Sequence, residues 1–352
     1  MSNGKKKKPA AVFALLLVIC MIITGCTPAT STIEGAGDIG VHTELIRVGF
    51  SQLGAESDWR RANTESIRAS LTREAGYQLI FEDAQQKQSN QTMAIRRFIQ
   101  QGVDYIVVAP MTEQGWDNVL NEAKDAGIPV ILVDRQIRVK DPTLFTCHIG
   151  SDFRLEGDKV CAWLKKFIKT RGLKPSAVHI ADLQGTVGAT AQIGRSASLT
   201  AAAKRNKWDV VAREDGDFTQ AKGKEVTTRI LAEFPNVNVL YCENDNMALG
   251  AIDAIESSGR RVGSDIENGE ILILSFDGVS NEAIEALKQG KIACIGECYP
   301  MHGPYVTSAI EMIESGKKPD RESYVTESIY SADSSITQVS VGEKDYSVTI
   351  IS

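Results

Sequence analysis

The sequence is short of the residues that usually carry covalent or metal chemistry. Its 352 residues include four histidines, widely scattered, and seven cysteines at irregular spacing. An odd set of cysteines without regular spacing is not a disulfide framework. No CxxC pair and no His-rich cluster supports a metal site, so neither metal nor cofactor is expected. There is no GxSxG elbow, no GxxxxGK(S/T) loop and no HExxH. No GxGxxG follows the first predicted strand, where Gly54 stands alone, and this argues against a dinucleotide site. There is no basic excess either: the formal net charge is −6, whereas a nucleic-acid footprint needs a basic face. Neither an enzyme nor a nucleic-acid partner is expected.

What is present begins with a leader. Lys5–Lys8 form a positive segment, and Ala10–Ile23 an apolar one of signal-peptide length, short of the roughly 20 residues that span a bilayer. Ile23-Thr24-Gly25-Cys26 resembles a bacterial lipobox, which implies cleavage after residue 25 and a diacylglycerol thioether on Cys26. Removing residues 1–25 takes away four lysines and no acids, and moves the formal charge from −6 to −10. Residues 26–43, rich in Thr, Gly and Ala, read as a flexible tether. Cys147, Cys161, Cys242, Cys294 and Cys298 read as buried thiols. The remaining length suits two domains. With 43% hydrophobic and 24% charged residues the chain is globular.

From Leu45 onward, strand and helix patterns alternate. Ile46–Phe50, Tyr77–Phe81 and Tyr105–Ala109 read as strands, with helices over Trp59–Glu74, Asn90–Gln101 and Trp116–Ala126. The most informative stretch is Ile128–Val133, a continuous apolar run that stops on Asp134-Arg135. Such a run reads as a central parallel strand buried on both faces. A second set follows, with strands at Ala177–Ile180, Trp208–Ala212, Val239–Cys242, Ile271–Phe276 and Ile292–Glu297 between helices. The pattern predicts an α/β protein of two doubly wound parallel-sheet lobes. A cleft between two lobes is a preferred ligand site.

Polar and aromatic residues recur just past the strand ends, where ligands of open α/β sheets bind. Glu56, Trp59 and Arg60 follow the first strand, and Asp134 and Arg135 the fourth. In the second set stand Arg195, Phe218, Asn244, Asp277 and Glu297. Each has a plain structural use as well. Glu56 and Arg60 fit an i,i+4 ion pair, Trp59 and Phe218 fit core packing, and Asn244 or Asp245 fits a helix cap. Asp277 before Gly278 fits a turn. As a set they suit a neutral polyol: carboxylates accept from hydroxyls, arginine donates in a fixed fork, and aromatic faces cover the C–H side of a sugar.

Over residues 44 to 340 the chain resembles the type I substrate-binding proteins of sugar ABC importers. The residues that carry the resemblance are Asp134-Arg135, Gly216-Asp217-Phe218-Thr219, Glu243–Ala251 and Phe276-Asp277-Gly278. Val48–Gln52, Trp59-Arg60, Gln85–Gln88 and Leu183–Ala189 are similar to the family's galactofuranose-binding branch. Ribose binders of the family carry two aromatics near Trp59-Arg60 and a Gln near Glu297, so the charged Glu56, Arg60 and Glu297 imply another sugar. After Arg195 the sequence reads Ser196-Ala197-Ser198-Leu199, where the family usually has Gly-Phe. The resemblance implies a periplasmic binding protein type I fold with three hinge crossings, near Gly150, Cys298 and Val325. One lobe would comprise residues 44–149 and 299–324, the other 150–298 and 325–342. It further implies a monomer that captures a monosaccharide, galactofuranose or a related sugar, and hands it to the membrane permease of an ABC importer. The protein would be held by its N-terminal lipid at the outer face of the cytoplasmic membrane. The alternative is a sugar-sensing subunit serving a chemoreceptor or histidine kinase.

Overall fold

The strands form where branched apolar residues run together between turns, and the helices where a polar cap opens an amphipathic stretch. The computed structural model describes residues 44–352. The leader 1–25, Cys26 and the tether 26–43 lie outside the described residues. The first set comprises β1 (Ile46–Gln52), α1 (Asp58–Ser70), β2 (Tyr77–Asp83), α2 (Gln88–Gln100), β3 (Tyr105–Val108), α3 (Asp117–Asp125), β4 (Val130–Val133) and β5 (Cys147–Gly150). The second opens with α4 (Phe153–Thr170), β6 (His179–Gln184), α5 (Thr190–Asn206), β7 (Asp209–Asp215) and α6 (Gln220–Glu233). It continues through β8 (Val239–Cys242), α7 (Asp245–Ser257), β9 (Arg261–Val262), β10 (Glu270–Asp277), α8 (Asn281–Lys288) and β11 (Cys294–Glu297). The chain ends in α9 (Gly303–Glu314), β12 (Glu322–Tyr324), β13 (Ile329–Ser331), β14 (Gln338–Val341), β15 (Lys344–Ser347) and β16 (Thr349–Ile350).

These elements build two principal sheets. The first has the order β12-β5-β4-β3-β1-β2, with every pair parallel. The second runs β16-β13-β11-β10-β8-β6-β7, with β9 beside β10, and is parallel except where β13 turns antiparallel on β11. The chain passes between the sheets at residues 151–152, 298–302 and 325–328. The second sheet continues past residue 342, because β16 pairs with β13. Three short strands had no sequence signature of their own. β5 reads Cys-His-Ile-Gly, β12 reads Glu-Ser-Tyr, and β13 has only Ile329 to mark it. Their pairing comes from neighbours, not from pattern.

Both sheets are covered on both faces, which explains the continuous apolar runs. In β4, Ile131 and Val133 enter the core with Val48, Phe50 and Val306, while Val130 and Leu132 enter the opposite core with Phe98, Ile106 and Trp116. In β10, Ile271 and Ile273 face one core, and Leu272, Leu274 and Phe276 the other. All five cysteines of the described residues are buried and unpaired; Cys161 lies on α4 rather than on a strand. Among the described residues no helix is long and apolar enough to cross a membrane.

His302, on the second crossing, is fully buried and packs edge-on to Trp59 with ring centroids 5.7 Å apart. Asn63 Nδ2 meets its Nδ1 at 3.2 Å. Burial, only partly opposed by Asp134, pulls the imidazole down from 6.5 to about 4. The unfolded chain therefore binds one more proton between those values, and the stability this group supplies at neutral pH is lost as pH falls through that window. From pH 7 to 4.5, urea unfolding of the wild type should lose about 2–3 kcal/mol more than unfolding of His302→Phe. Equal losses in the two proteins would assign the acid sensitivity elsewhere.

Candidate functional site

The strand ends of the two sheets face one small cavity lined from both. From the first sheet come Glu56, Ser57, Trp59, Arg60, Asp134 and Arg135. From the second come Phe153, Ala191, Arg195, Phe218, Asn244 and Asp277, and Cys298 comes from the crossing between them. Ser57 caps α1, its side chain accepting from Arg60 N at 3.1 Å, so the cap fixes where Trp59 and Arg60 emerge. Asn244 caps α7 in the same way. Its Oδ1 accepts from Met247 N at 2.9 Å, and its Nδ2 donates to Phe218 O at 3.0 Å. Above the cavity the rim is joined across the sheets. Asp58 N donates to Asn246 Oδ1 at 3.1 Å, and Asn246 Nδ2 returns a bond to Asp58 Oδ2 at 3.0 Å.

Three of these residues sit in left-handed backbone: Asp134 at φ 65°, Phe218 at 56° and Asp277 at 98°. For a bulky Phe and for strand-end acids this costs energy, and such strain persists where the surroundings impose it. Two glycines make it possible. A Cβ at Gly185 would overlap the Phe218 ring, and one at Gly150 would press on the Asp134 carbonyl. That carbonyl also accepts from His148 Nε2 at 2.9 Å.

Buried charge is compensated pairwise. Arg60 Nη2 donates to Asp134 Oδ2 at 2.6 Å and Arg60 Nε to Glu56 Oε1 at 3.1 Å. Burial alone raises the Asp134 carboxyl, but Arg60 and Arg135 outweigh it and hold the group below its usual value. Burial and the neighbouring Arg60 pull Arg135 down to about 10, still cationic at neutral pH. Arg135 Nη1 donates to Met111 O at 2.9 Å, and the guanidinium lies 5.5 Å from the centre of the Phe218 ring. Across the cavity, Arg195 Nε donates to Glu156 Oε2 at 2.8 Å, and a second nitrogen bonds Glu243 O. Arg195 Nη2 is 3.6 Å from Asp277 Oδ1, too long for a full hydrogen bond. Burial therefore dominates at Asp277 and pushes its carboxyl up, with Arg195 opposing. Glu56 Oε2 is buried without a partner, an acceptor free for a hydroxyl. The three carboxyl groups and three guanidiniums of the lining cancel in formal charge. That suits a neutral polar ligand, not a phosphate.

The structure gathers Glu56, Trp59, Arg60, Asp134, Arg135, Arg195, Phe218, Asn244 and Asp277 around this cavity, and leaves Glu297 outside it. Although Glu297 pairs with Asp277 in the sheet, its carboxylate accepts from Ser328 N at 2.6 Å and lies beside Tyr330. The antiparallel strand β13, unforeseen in the sequence, supplies Tyr330, and Ser328 just before it supplies the amide, so the acid is satisfied. Sequence reasoning also missed Phe153 and Cys298. Phe153 opens α4 directly after a strand end, a usable signal once β5 is known; its ring lies 5.6 Å from the Arg195 guanidinium. Cys298 offered none beyond its place after β11. The departure at Ser196 has a structural account. Its hydroxyl donates to Glu243 Oε1 at 2.7 Å, and lies 3.2 Å from Asp182 Oδ2.

Comparison with known proteins gives the family. A family model described as a periplasmic binding protein domain matches residues 48–317. The chain is 38% identical over 293 residues to the galactofuranose-binding protein YtfQ of Escherichia coli (strain K12), covering 82% of this chain and 88% of that protein. Among solved structures, one from Mycobacterium smegmatis in complex with β-D-fucofuranose aligns with a TM-score of 0.76 and 38% identity, over 81% of this chain and 91% of the other. The binding component of the arabinose ABC transporter from Shewanella sp. ANA-3, bound to α- and β-L-arabinofuranose, aligns with a TM-score of 0.74 and 42% identity, over 80% and 91%. With its two mainly parallel sheets, its cleft lined from both and a family match over most of its length, this chain belongs to the type I periplasmic sugar-binding proteins, which bind solutes and are not enzymes.

Proposed function

We propose that the protein captures a monosaccharide in its furanose form and delivers it to the permease of an ABC importer, as a monomer held to the membrane by a lipid on Cys26. The observation that carries the sugar reading is the composition of the cavity wall. Trp59 and Phe218 offer apolar faces from opposite sheets, and between them stand Arg60, Arg135 and Arg195, each beside a carboxyl group. Hydroxyls of a small sugar can donate to Glu56, Asp134 and Asp277 and accept from the guanidiniums, each charge-assisted bond contributing about 1.5–3 kcal/mol. The furanose choice is supported by the named ligands of the similar proteins: galactofuranose, fucofuranose and arabinofuranose. Sugar that bridges both walls favours closure through its differential affinity for the closed arrangement.

The direct test is a thermal-shift and tryptophan-fluorescence panel of L-arabinose, D-galactose, D-fucose and D-ribose, with mass spectrometry of any sugar that co-purifies. L-Arabinose, D-galactose and D-fucose, through the furanose forms present in solution, should shift the melting temperature at millimolar concentration more than D-ribose. A flat panel and no co-purified sugar would count against the reading. Arg135→Ala should weaken binding at least 100-fold, about 3 kcal/mol, by removing two charge-assisted bonds, while circular dichroism stays native. Glu297→Gln should stay within threefold of wild type, because that carboxylate is committed to Ser328 and Tyr330. For the anchor, Cys26→Ser should move the expressed protein from the membrane fraction to the soluble one. An unchanged distribution would remove the lipid from the proposal.

A further inference from the structure

The three crossings meet in one side-chain cluster behind the cavity. Ser151 stands on the first crossing, Cys298 and Tyr299 on the second, and Glu327 on the third. Glu327 Oε1 accepts from Ser151 Oγ at 2.5 Å and from Tyr299 N at 2.9 Å. Ser151 Oγ also lies 3.4 Å from Cys298 Sγ. The backbone carbonyl of Glu327 accepts from Lys159 Nζ of α4 at 2.7 Å. One carboxyl group thus holds all three connections at once.

The cluster reaches the cavity by two routes. Cys298 O accepts from Trp59 Nε1 at 2.8 Å, which fixes the indole that forms one wall. Glu156, whose Oε2 holds Arg195, has its other oxygen buried without a partner. Ligand atoms of Glu156, Cys298 and Glu327 all lie within 4.8 Å of one another.

We propose that Glu327 is a positioning residue for sugar capture, tying the three crossings in the arrangement that brings Trp59 and Arg195 to the same cavity. The tie rests on the sugar-binding reading above and adds a pH dependence to it. Two carboxylates this close in a buried place do not both carry charge cheaply. The groups that face Glu327 are Glu156 and Lys159 from α4, the Cys298 thiol and the Tyr330 phenol. Burial and then Glu156 push the Glu327 carboxyl up to about 9, against Ser151, the Tyr299 amide and Lys159. In this arrangement the carboxyl therefore holds its proton at neutral pH. Loss of that proton sets two carboxylate charges side by side behind the cavity, so the tie loosens and affinity falls as pH rises towards 9.

The test uses wild type, Glu327→Gln and Glu327→Ala. Each is titrated with L-arabinose by tryptophan fluorescence between pH 6 and 9, and amide hydrogen exchange is followed without sugar at residues 151–152, 298–302 and 325–328. Glu327→Gln keeps an acceptor oxygen for Ser151 and Tyr299 and cannot ionise. It should match wild type at pH 6 and stay flat, while wild type weakens at least fivefold across the range. Glu327→Ala should bind at least tenfold more weakly throughout and exchange faster at all three crossings. An identical pH slope in wild type and Glu327→Gln, or unchanged exchange in Glu327→Ala, overturns the proposal. Faster exchange in Glu327→Ala with no arabinose signal in any of the three proteins supports the tie and counts against arabinose as the ligand.

Discussion

Burying an arginine is tolerable only when a carboxylate goes with it, and the cavity of this protein is built on that constraint. Arg60 and Arg195 are almost completely buried, on opposite walls. An isolated guanidinium there would cost several kcal/mol in lost hydration. Glu56 and Asp134 offset that cost for Arg60, and Glu156 does so for Arg195. The pairs hold the charges rigid, so donors and acceptors are in place before any ligand arrives. They also keep the wall near neutral overall while leaving strong local dipoles, which favours a neutral, hydroxyl-rich ligand over an ionic one.

The scaffold serves those pairs. Parallel strands covered on both faces leave their carboxyl ends as the place where chain direction changes, and loops there can present side chains without disturbing the cores. The price of that presentation is visible in the left-handed backbone at Asp134, Phe218 and Asp277. Helix caps at Ser57 and Asn244 do double service, since each opens a helix and sets the direction of a cavity residue. The three crossings complete the arrangement, because the two walls are parts of one site only while the crossings hold them together.

Much of this was legible in the chain. The apolar run Ile128–Val133 gave a strand buried on both faces, since only a doubly covered strand lacks a polar alternation. Asp134-Arg135 at its end, and acids and aromatics past other strands, marked the sheet edges where side chains could converge. Short strands such as β5, β12 and β13 escaped because their residues pair by position among neighbours and have no periodicity to read. Glu297 shows the consequence. Its place at the end of a strand was visible, but its partners Ser328 and Tyr330 lie about 30 residues on, just before and on a strand whose antiparallel return no local pattern announces.

The sequence by itself determined the α/β alternation, the central strands and the residue types available at strand ends, because these follow from local periodicity and the chemistry of each side chain. Tertiary structure alone decided which of those residues share a cavity, which acid answers which arginine, and that Glu327 joins the three crossings. Those depend on distances between segments far apart in the chain, set by how two sheets and three connections close on one another.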